Sequence, residues 1–192
     1  MAKFLVIYST TDGHTREICE RLVDIIAQHG HAVTLRDIGD SKNRDPVDFD
    51  KIVIGASIRY GRHSKQLYRF INDHAQLLAD TPSAFFSVNL VARKPAKRQA
   101  DTNPYVRKFL RQIPWQPKEL TIFAGKLDYP RYRFWDREII RLIMWMTKGP
   151  TDPTTVKDFT DWSQVEAFGR AVSKVGEKLT NDPGSDFRPV DG

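Results

Sequence analysis

The 192 residues suffice for one domain with a full core, and no apolar run reaches the ~18 residues that would suggest a membrane span. Thirty basic and 24 acidic side chains leave a formal charge of +6, which suits an anionic substrate or an anionic lipid surface. Nucleic acid is the weakest partner, because the chain has no aromatic-plus-basic RNA motif and no DNA-binding helix pair. A single cysteine excludes an internal disulfide and fits a reducing compartment, and no signal peptide is expected ahead of the first strand.

The continuously apolar run Phe4-Leu5-Val6-Ile7-Tyr8 reads as a strand buried on both faces. After it, Ile18, Leu22, Ile25 and Ile26 keep the spacing of a helix with one buried side, expected from about Gly13 to Gln28. Between the two lies the turn Ser9-Thr10-Thr11-Asp12-Gly13-His14-Thr15. A helix that begins there has free N–H groups and the positive end of its dipole at the C-terminal edge of the sheet, which makes the turn an anion site. Ser, Thr and Asp also serve as ordinary caps and turn formers. The place after the first buried strand favours a ligand, with hydroxyls donating to phosphate oxygens and Gly13 allowing close backbone approach. Neither GxxxxGK[ST] nor GxGxxG is present, so the natural ligand is a monophosphate held by neutral donors, for which flavin mononucleotide (FMN) is the leading cofactor.

Ala32 to Arg36 alternates as a second strand, and Gly39 to Asp48 reads as a loop. Lys51 to Ala56 is a central third strand whose exit Ser57-Ile58-Arg59-Tyr60-Gly61 would lie beside the anion turn in a doubly wound α/β sheet of order 2-1-3-4-5. Ser64 caps a helix expected to run to Asp80. Ser83 to Leu90 is the fourth strand and its exit, with Ser87, Val88, Asn89, Leu90 and Val91 facing the cofactor side. It leads into Arg93, Lys94, Lys97 and Arg98, which form either a solvated basic loop or a recognition loop for an anionic substrate. A short helix from Tyr105 to Ile113 and a fifth strand from Leu120 to Gly125 follow, and Leu127, Asp128 and Tyr129 leave the strand end.

Residues Arg131 to Lys148 read as one amphipathic helix. At about 100° per residue, Arg133, Arg137, Arg141 and Lys148 form one stripe, and Trp135, Ile139, Leu142, Ile143 and Met146 lie opposite, with Trp145 between. Burial in the core, a homo-oligomer seam and a peripheral membrane helix all fit such a face. The last helix starts at Thr160-Asp161, with Trp162, Val165, Phe168, Val172, Val175 and Leu179 as its buried side, and residues 181–192 read as a frayed tail. No metal cluster, triad or reactive thiol presents itself, and Cys19 reads as core. The chemistry must therefore come from a cofactor. Arg59, Tyr60 and Asn89 are the candidates for work beside a flavin ring, and Arg131 and Arg133 join the basic loop as candidates for substrate carboxylates.

The run Val6 to Thr15 resembles the flavodoxin FMN-phosphate signature, with Cys19 where that pattern usually has Ala. Further segments extend the likeness: Ile54 to Gly61, Pro82 to Phe85, Ser87 to Pro95, Tyr129 to Arg133 and Thr160 to Trp162. Together they resemble the bacterial flavodoxin-like protoporphyrinogen oxidases, over Phe4 to about Val175. The resemblance implies a flavodoxin-like domain over 1–180 with 131–150 as an insertion. It implies bound FMN, oxidation of protoporphyrinogen IX to protoporphyrin IX, and delivery of electrons to a membrane quinone from the cytoplasmic side of the inner membrane. A soluble NAD(P)H:quinone reductase and a flavodoxin-type electron carrier are the alternatives on the same fold.

Overall fold

The computed structural model describes residues 1–40 and 46–174, so the expected tail, Val175 and Leu179 lie outside the described residues. The elements are β1 (Lys3–Ser9), α1 (His14–Gln28), β2 (Ala32–Asp37), β3 (Lys51–Ser57), α2 (Lys65–Asp73), α3 (Ala75–Asp80) and β4 (Ser83–Asn89). They continue with α4 (Pro104–Leu110), β5 (Glu119–Ala124), β6 (Lys126–Asp128), α5 (Phe134–Met146), β7 (Val156–Asp158) and α6 (Trp162–Ser173). Strands β1 to β5 form a parallel sheet in the order β2-β1-β3-β4-β5, as the apolar runs imply.

Alternation along the strands sends side chains to two cores. Leu5, Ile7, Ile52, Ile54 and Phe85 pack with Leu67, Phe70 and Ile71 of α2, Phe109 of α4 and Trp115. Phe4, Val6, Val53, Ala84, Phe86 and Phe123 pack on the other side with Ile18, Cys19, Leu22 and Ile26 of α1 and Val165 and Val172 of α6. Register places Ser9 beside Ala56, and Ser57 beside Val88. The exits of β1, β3 and β4 therefore meet at one edge, where the direction of strand addition reverses.

Three local expectations outside α5 are corrected. The helix expected from Ser64 to Asp80 is two helices broken at His74, whose ring nitrogen Nδ1 and backbone N–H both face the Phe70 carbonyl, at 2.9 and 3.1 Å. The exit of β5 is no simple loop: β6 pairs antiparallel with β7. Trp162 is not on the buried side of α6; it is 37% exposed, and its indole N–H bonds Asp158 at 3.1 Å. The expected Asp161 cap is present, accepting the Gln164 N–H.

Helix α5 begins at Phe134, three residues later than the amphipathic pattern suggested, so Arg131 and Arg133 stand outside it. Its inward seam is Ile140 and Met144, which join Leu127, Tyr129 and Tyr132 in a small separate core. Arg137 and Arg141 flank this seam and are half-buried, rather than forming a free basic stripe. Arg141 bonds the Thr151 carbonyl at 2.8 Å and Glu138 at 2.9 Å. Trp135, Ile139, Leu142, Trp145 and Met146 face outward, with Trp135 at 76% and Trp145 at 71% exposure. No helix among the described residues is long and apolar enough to cross a membrane.

Candidate functional site

The edge shared by β1, β3 and β4 opens into a cleft of about 880 Å³, part of it continuous with solvent. The floor begins at the turn after β1. Gly13 has φ 89°, a left-handed conformation that costs glycine nothing, and it lets α1 start without a side-chain cap. The turn is braced from within: Thr10 Oγ1 accepts the Gly13 N–H at 3.0 Å, and Ser9 Oγ lies 2.8 Å from Ser64 Oγ. His14 packs against α6, with Nε2 2.6 Å from Thr160 Oγ1, Nδ1 2.9 Å from Glu17, and its ring edge-on to Trp162. Thr15 differs from its neighbours. Its hydroxyl is buried, has no hydrogen-bond partner among the described residues, and belongs to a residue that lines the cleft. A buried hydroxyl without a partner costs about 1–3 kcal/mol. An anion arriving at the start of α1 would accept that proton, so the turn fits a phosphate.

One side wall is the exit of β3. Tyr60 (φ 49°) and Gly61 (φ 77°) make a tight left-handed turn, closed by the Arg59 N–H to Arg62 carbonyl bond at 3.0 Å and its reciprocal at 3.2 Å. Arg59 Nη1 bonds Asp12 at 2.7 Å, and Nη2 reaches Asp136 of α5 at 3.0 Å. The guanidinium lies over the rings of Tyr60 and Tyr132, 5.4 and 5.1 Å from their centroids. Tyr60 donates to Asp136 through its hydroxyl. Burial raises the Asp12 carboxyl, and Arg59 only partly offsets this. The Tyr60 hydroxyl, followed by Arg59, holds the Asp136 carboxyl below its usual value. Behind this turn His63 is buried edge-on to Phe85 and Phe109, with Nδ1–H donating to the Ser57 carbonyl at 3.0 Å; burial pushes the ring down to about 4.

The opposite wall is the exit of β4, which runs as short 3-10 turns over Leu90–Arg93 and Pro95–Lys97. Asn89 Oδ1 accepts from the Ala92 N–H at 3.0 Å and from Asn103 Nδ2 at 3.2 Å. Its side chain therefore shapes the loop. Arg93 donates to the Leu90 carbonyl at 3.0 Å and to both oxygens of Thr147, so it braces the C-terminal end of α5. Ile140, Ile143 and Met144 of α5 close the last side.

Of the residues expected at a cofactor, Thr10, Asp12, His14, Thr15, Ser57, Ile58, Arg59, Tyr60, Gly61, Val88, Asn89, Leu90 and Val91 line this cleft. Ser9, Thr11 and Gly13 belong to the same turn without lining it, and Ser87 is buried in β4. Leu127 and Tyr129 lie in the small core with Tyr132, and Asp128 lines a neighbouring depression of about 240 Å³ that also holds Arg131. Among the expected substrate cations only Arg93 lines the cleft. Lys94 is exposed, Arg98 bonds the Ala92 carbonyl at 3.1 Å, and Lys97 and Arg133 lie outside the lining. Sequence reasoning missed Tyr105, Lys126, Tyr132, Ile140 and Met144 as lining residues, and Asp136 as the partner of Arg59. The i, i+4 pair Ile140 and Met144 was a readable signal for a second, inward face of α5; Tyr105 reaches the cleft only through the tertiary fold.

A parallel sheet of this order, with a hydroxyl-rich anion turn at its reversal point and a cleft between the next two loops, defines a protein of the flavodoxin class. The flavodoxin domain family model matches residues 5–154. A flavodoxin from Bacillus cereus superposes with a TM-score of 0.54 at 15% identity, covering 90% of this chain and 98% of that one, a likeness of fold. Protoporphyrinogen IX dehydrogenase [quinone] of Escherichia coli K12 is 43% identical over 178 residues, 93% of this chain and 98% of the relative. The protein of that name from Leishmania major is 45% identical over 167 residues, 86% of this chain and 72% of the relative. The chain belongs to the flavodoxin domain family and, within it, to the family of quinone-dependent protoporphyrinogen IX dehydrogenases.

Proposed function

We propose that the protein oxidises protoporphyrinogen IX to protoporphyrin IX with FMN in the cleft and a quinone as acceptor. The observation that carries this reading is the likeness to the Escherichia coli enzyme, 43% identical over 93% of this chain. The partnerless Thr15 hydroxyl and the free N–H groups at the start of α1 would hold the FMN phosphate, and Ile58 to Gly61 and Val88 to Val91 would flank the ring. Bound there, FMN would supply the capacity to take two electrons at a time from the substrate and pass them to a quinone, three such rounds removing the six electrons and six protons that separate protoporphyrinogen IX from protoporphyrin IX.

The chain's own part is placement and exclusion. Ile140, Ile143 and Met144 give the cleft an apolar side that suits a porphyrinogen macrocycle or a quinone head. Among the described residues Lys126 is the one cleft-lining Lys or Arg besides the braced Arg59 and Arg93, and it shares the neighbouring depression with Asp12, His14 and Tyr132. The outward face of α5 supports peripheral attachment to an anionic bilayer. Trp135, Ile139, Leu142, Trp145 and Met146 would enter the interface, with Arg133 and Lys148 exposed near its ends. Attachment of that kind would bring the cleft close to the layer in which a quinone dissolves.

The test is anaerobic porphyrin formation, followed by fluorescence, with FMN-loaded protein, protoporphyrinogen IX and quinone-bearing vesicles. Formation that requires FMN and quinone together supports the reading. Absence of porphyrin above the uncatalysed rate, with fast turnover of NADPH and a soluble quinone, replaces it with a quinone reductase.

A further inference from the structure

We propose that Arg59 is a positioning residue whose two-sided ion pair makes α5 part of the cofactor site, so that filling the cleft and docking of α5 strengthen each other. The proposal rests on the FMN reading above.

Helix α5 is thinly held. Two side chains, Ile140 and Met144, are its buried apolar anchors, and its remaining large apolar side chains are exposed. The rest of its attachment is polar. At the N-terminal end Arg59 and Tyr60 hold Asp136, at the C-terminal end Arg93 holds Thr147, and between them Arg141 reaches the Thr151 carbonyl of the chain that follows the helix. Those arginines come from the two loops that wall the cleft, so α5 lies across its mouth like a bar on two posts. The posts are unequal. Arg93 grips a carbonyl and a hydroxyl of α5 and the carbonyl of Leu90 in its own loop. Arg59 grips the anion turn itself, through Asp12, which sits between the hydroxyls and Gly13.

The Arg59 fork is fixed in direction by the Tyr60 and Tyr132 rings on its faces. Its two donors therefore set Asp12 and Asp136 at a fixed separation, and a shift of α5 pulls on the turn that would carry the phosphate. The left-handed Tyr60 serves the same end by aiming its phenol at α5 rather than into the sheet. Asp136 does not line the cleft; it bears on a ligand there through Arg59, Tyr60 and the position of α5, and through its charge, which also acts on Asp12. A ligand filling the cleft meets Ile140, Ile143 and Met144 on the inner edge of α5. It adds contacts that exist only when α5 is docked, and reciprocity requires that docking tighten the ligand by the same factor.

The test combines FMN titration by flavin fluorescence with limited trypsin digestion, on the full chain and its Asp136→Asn, Arg59→Gln and double variants. Wild type should bind FMN, and FMN should slow cleavage at Arg137 and Arg141. Asp136→Asn should weaken FMN binding about ten-fold, within the usual range of coupling between sites, and should abolish the protection. The double variant should bind FMN no more weakly than Arg59→Gln alone. Unchanged FMN affinity in Asp136→Asn, or additive losses in the double variant, would overturn the latch while leaving the cofactor reading intact. Failure of wild type to bind FMN would overturn the cofactor reading and the latch with it.

Discussion

Replacing Thr15 by Val tests the anion turn with two effects of opposite sign. Val has the same branched shape and removes only the hydroxyl, which is buried and partnerless. Without FMN the change deletes an unmet polar group, a gain of about 1 kcal/mol, or ~2–4 °C in Tm for a chain of this size. With FMN it deletes a hydrogen bond to a charged oxygen, worth about 1.5–3 kcal/mol, or roughly ten- to a hundred-fold in Kd. Thermal unfolding without FMN and fluorescence titration with it measure the two arms, and Thr15→Ser, which retains the hydroxyl, should keep most of the affinity. A variant that is less stable without FMN and binds FMN as tightly as wild type would refute the assignment of Thr15 to the phosphate.

Stability should fall with pH through His63. Its buried ring titrates at about 4 when folded and near 6.5 when unfolded, so the unfolded chain takes up the proton first and stability drops as pH falls from 6.5 to 4, by on the order of 3 kcal/mol. In His63→Gln that part of the slope should vanish; identical slopes in the two proteins would contradict it. A Cβ on Gly55 would sit 2.2 Å from Cζ of Phe86, whose ring is held between Phe123 and Phe168, so Gly55→Ala should lose at least about 1–3 kcal/mol by denaturant midpoint; an unchanged midpoint would refute the packing argument. Leu142→Glu with Trp145→Glu should abolish sedimentation with anionic vesicles and leave FMN affinity and Tm near wild type, because both side chains face outward; retained vesicle binding would remove α5 from the membrane.

The sheet was readable because strands buried on both faces are nearly continuous apolar runs, as in Phe4 to Ile7 and Ile52 to Ile54. The anion turn was readable because its hydroxyls and glycine lie together in the chain. What escaped depends on contacts between distant segments. Asp136 reads as an ordinary first-turn acid until Arg59 arrives from the exit of β3. Arg93 reads as a free anion receptor until the end of α5 takes its donors. Amphipathicity revealed that α5 has an apolar side, yet that side is the exposed one, because a hydrophobic stripe does not say whether protein or something else will cover it.

The most direct test of flavin-mediated protoporphyrinogen oxidation is a half-reaction. FMN-loaded protein is mixed anaerobically with protoporphyrinogen IX alone, and the flavin absorbance is followed before and after a quinone is added. Protoporphyrinogen IX should bleach the flavin rapidly, by two electrons per FMN, and adding the quinone should restore the absorbance and let porphyrin appear as the three successive two-electron oxidations are completed. A flavin that stays oxidised with protoporphyrinogen IX and bleaches with NADPH would contradict it.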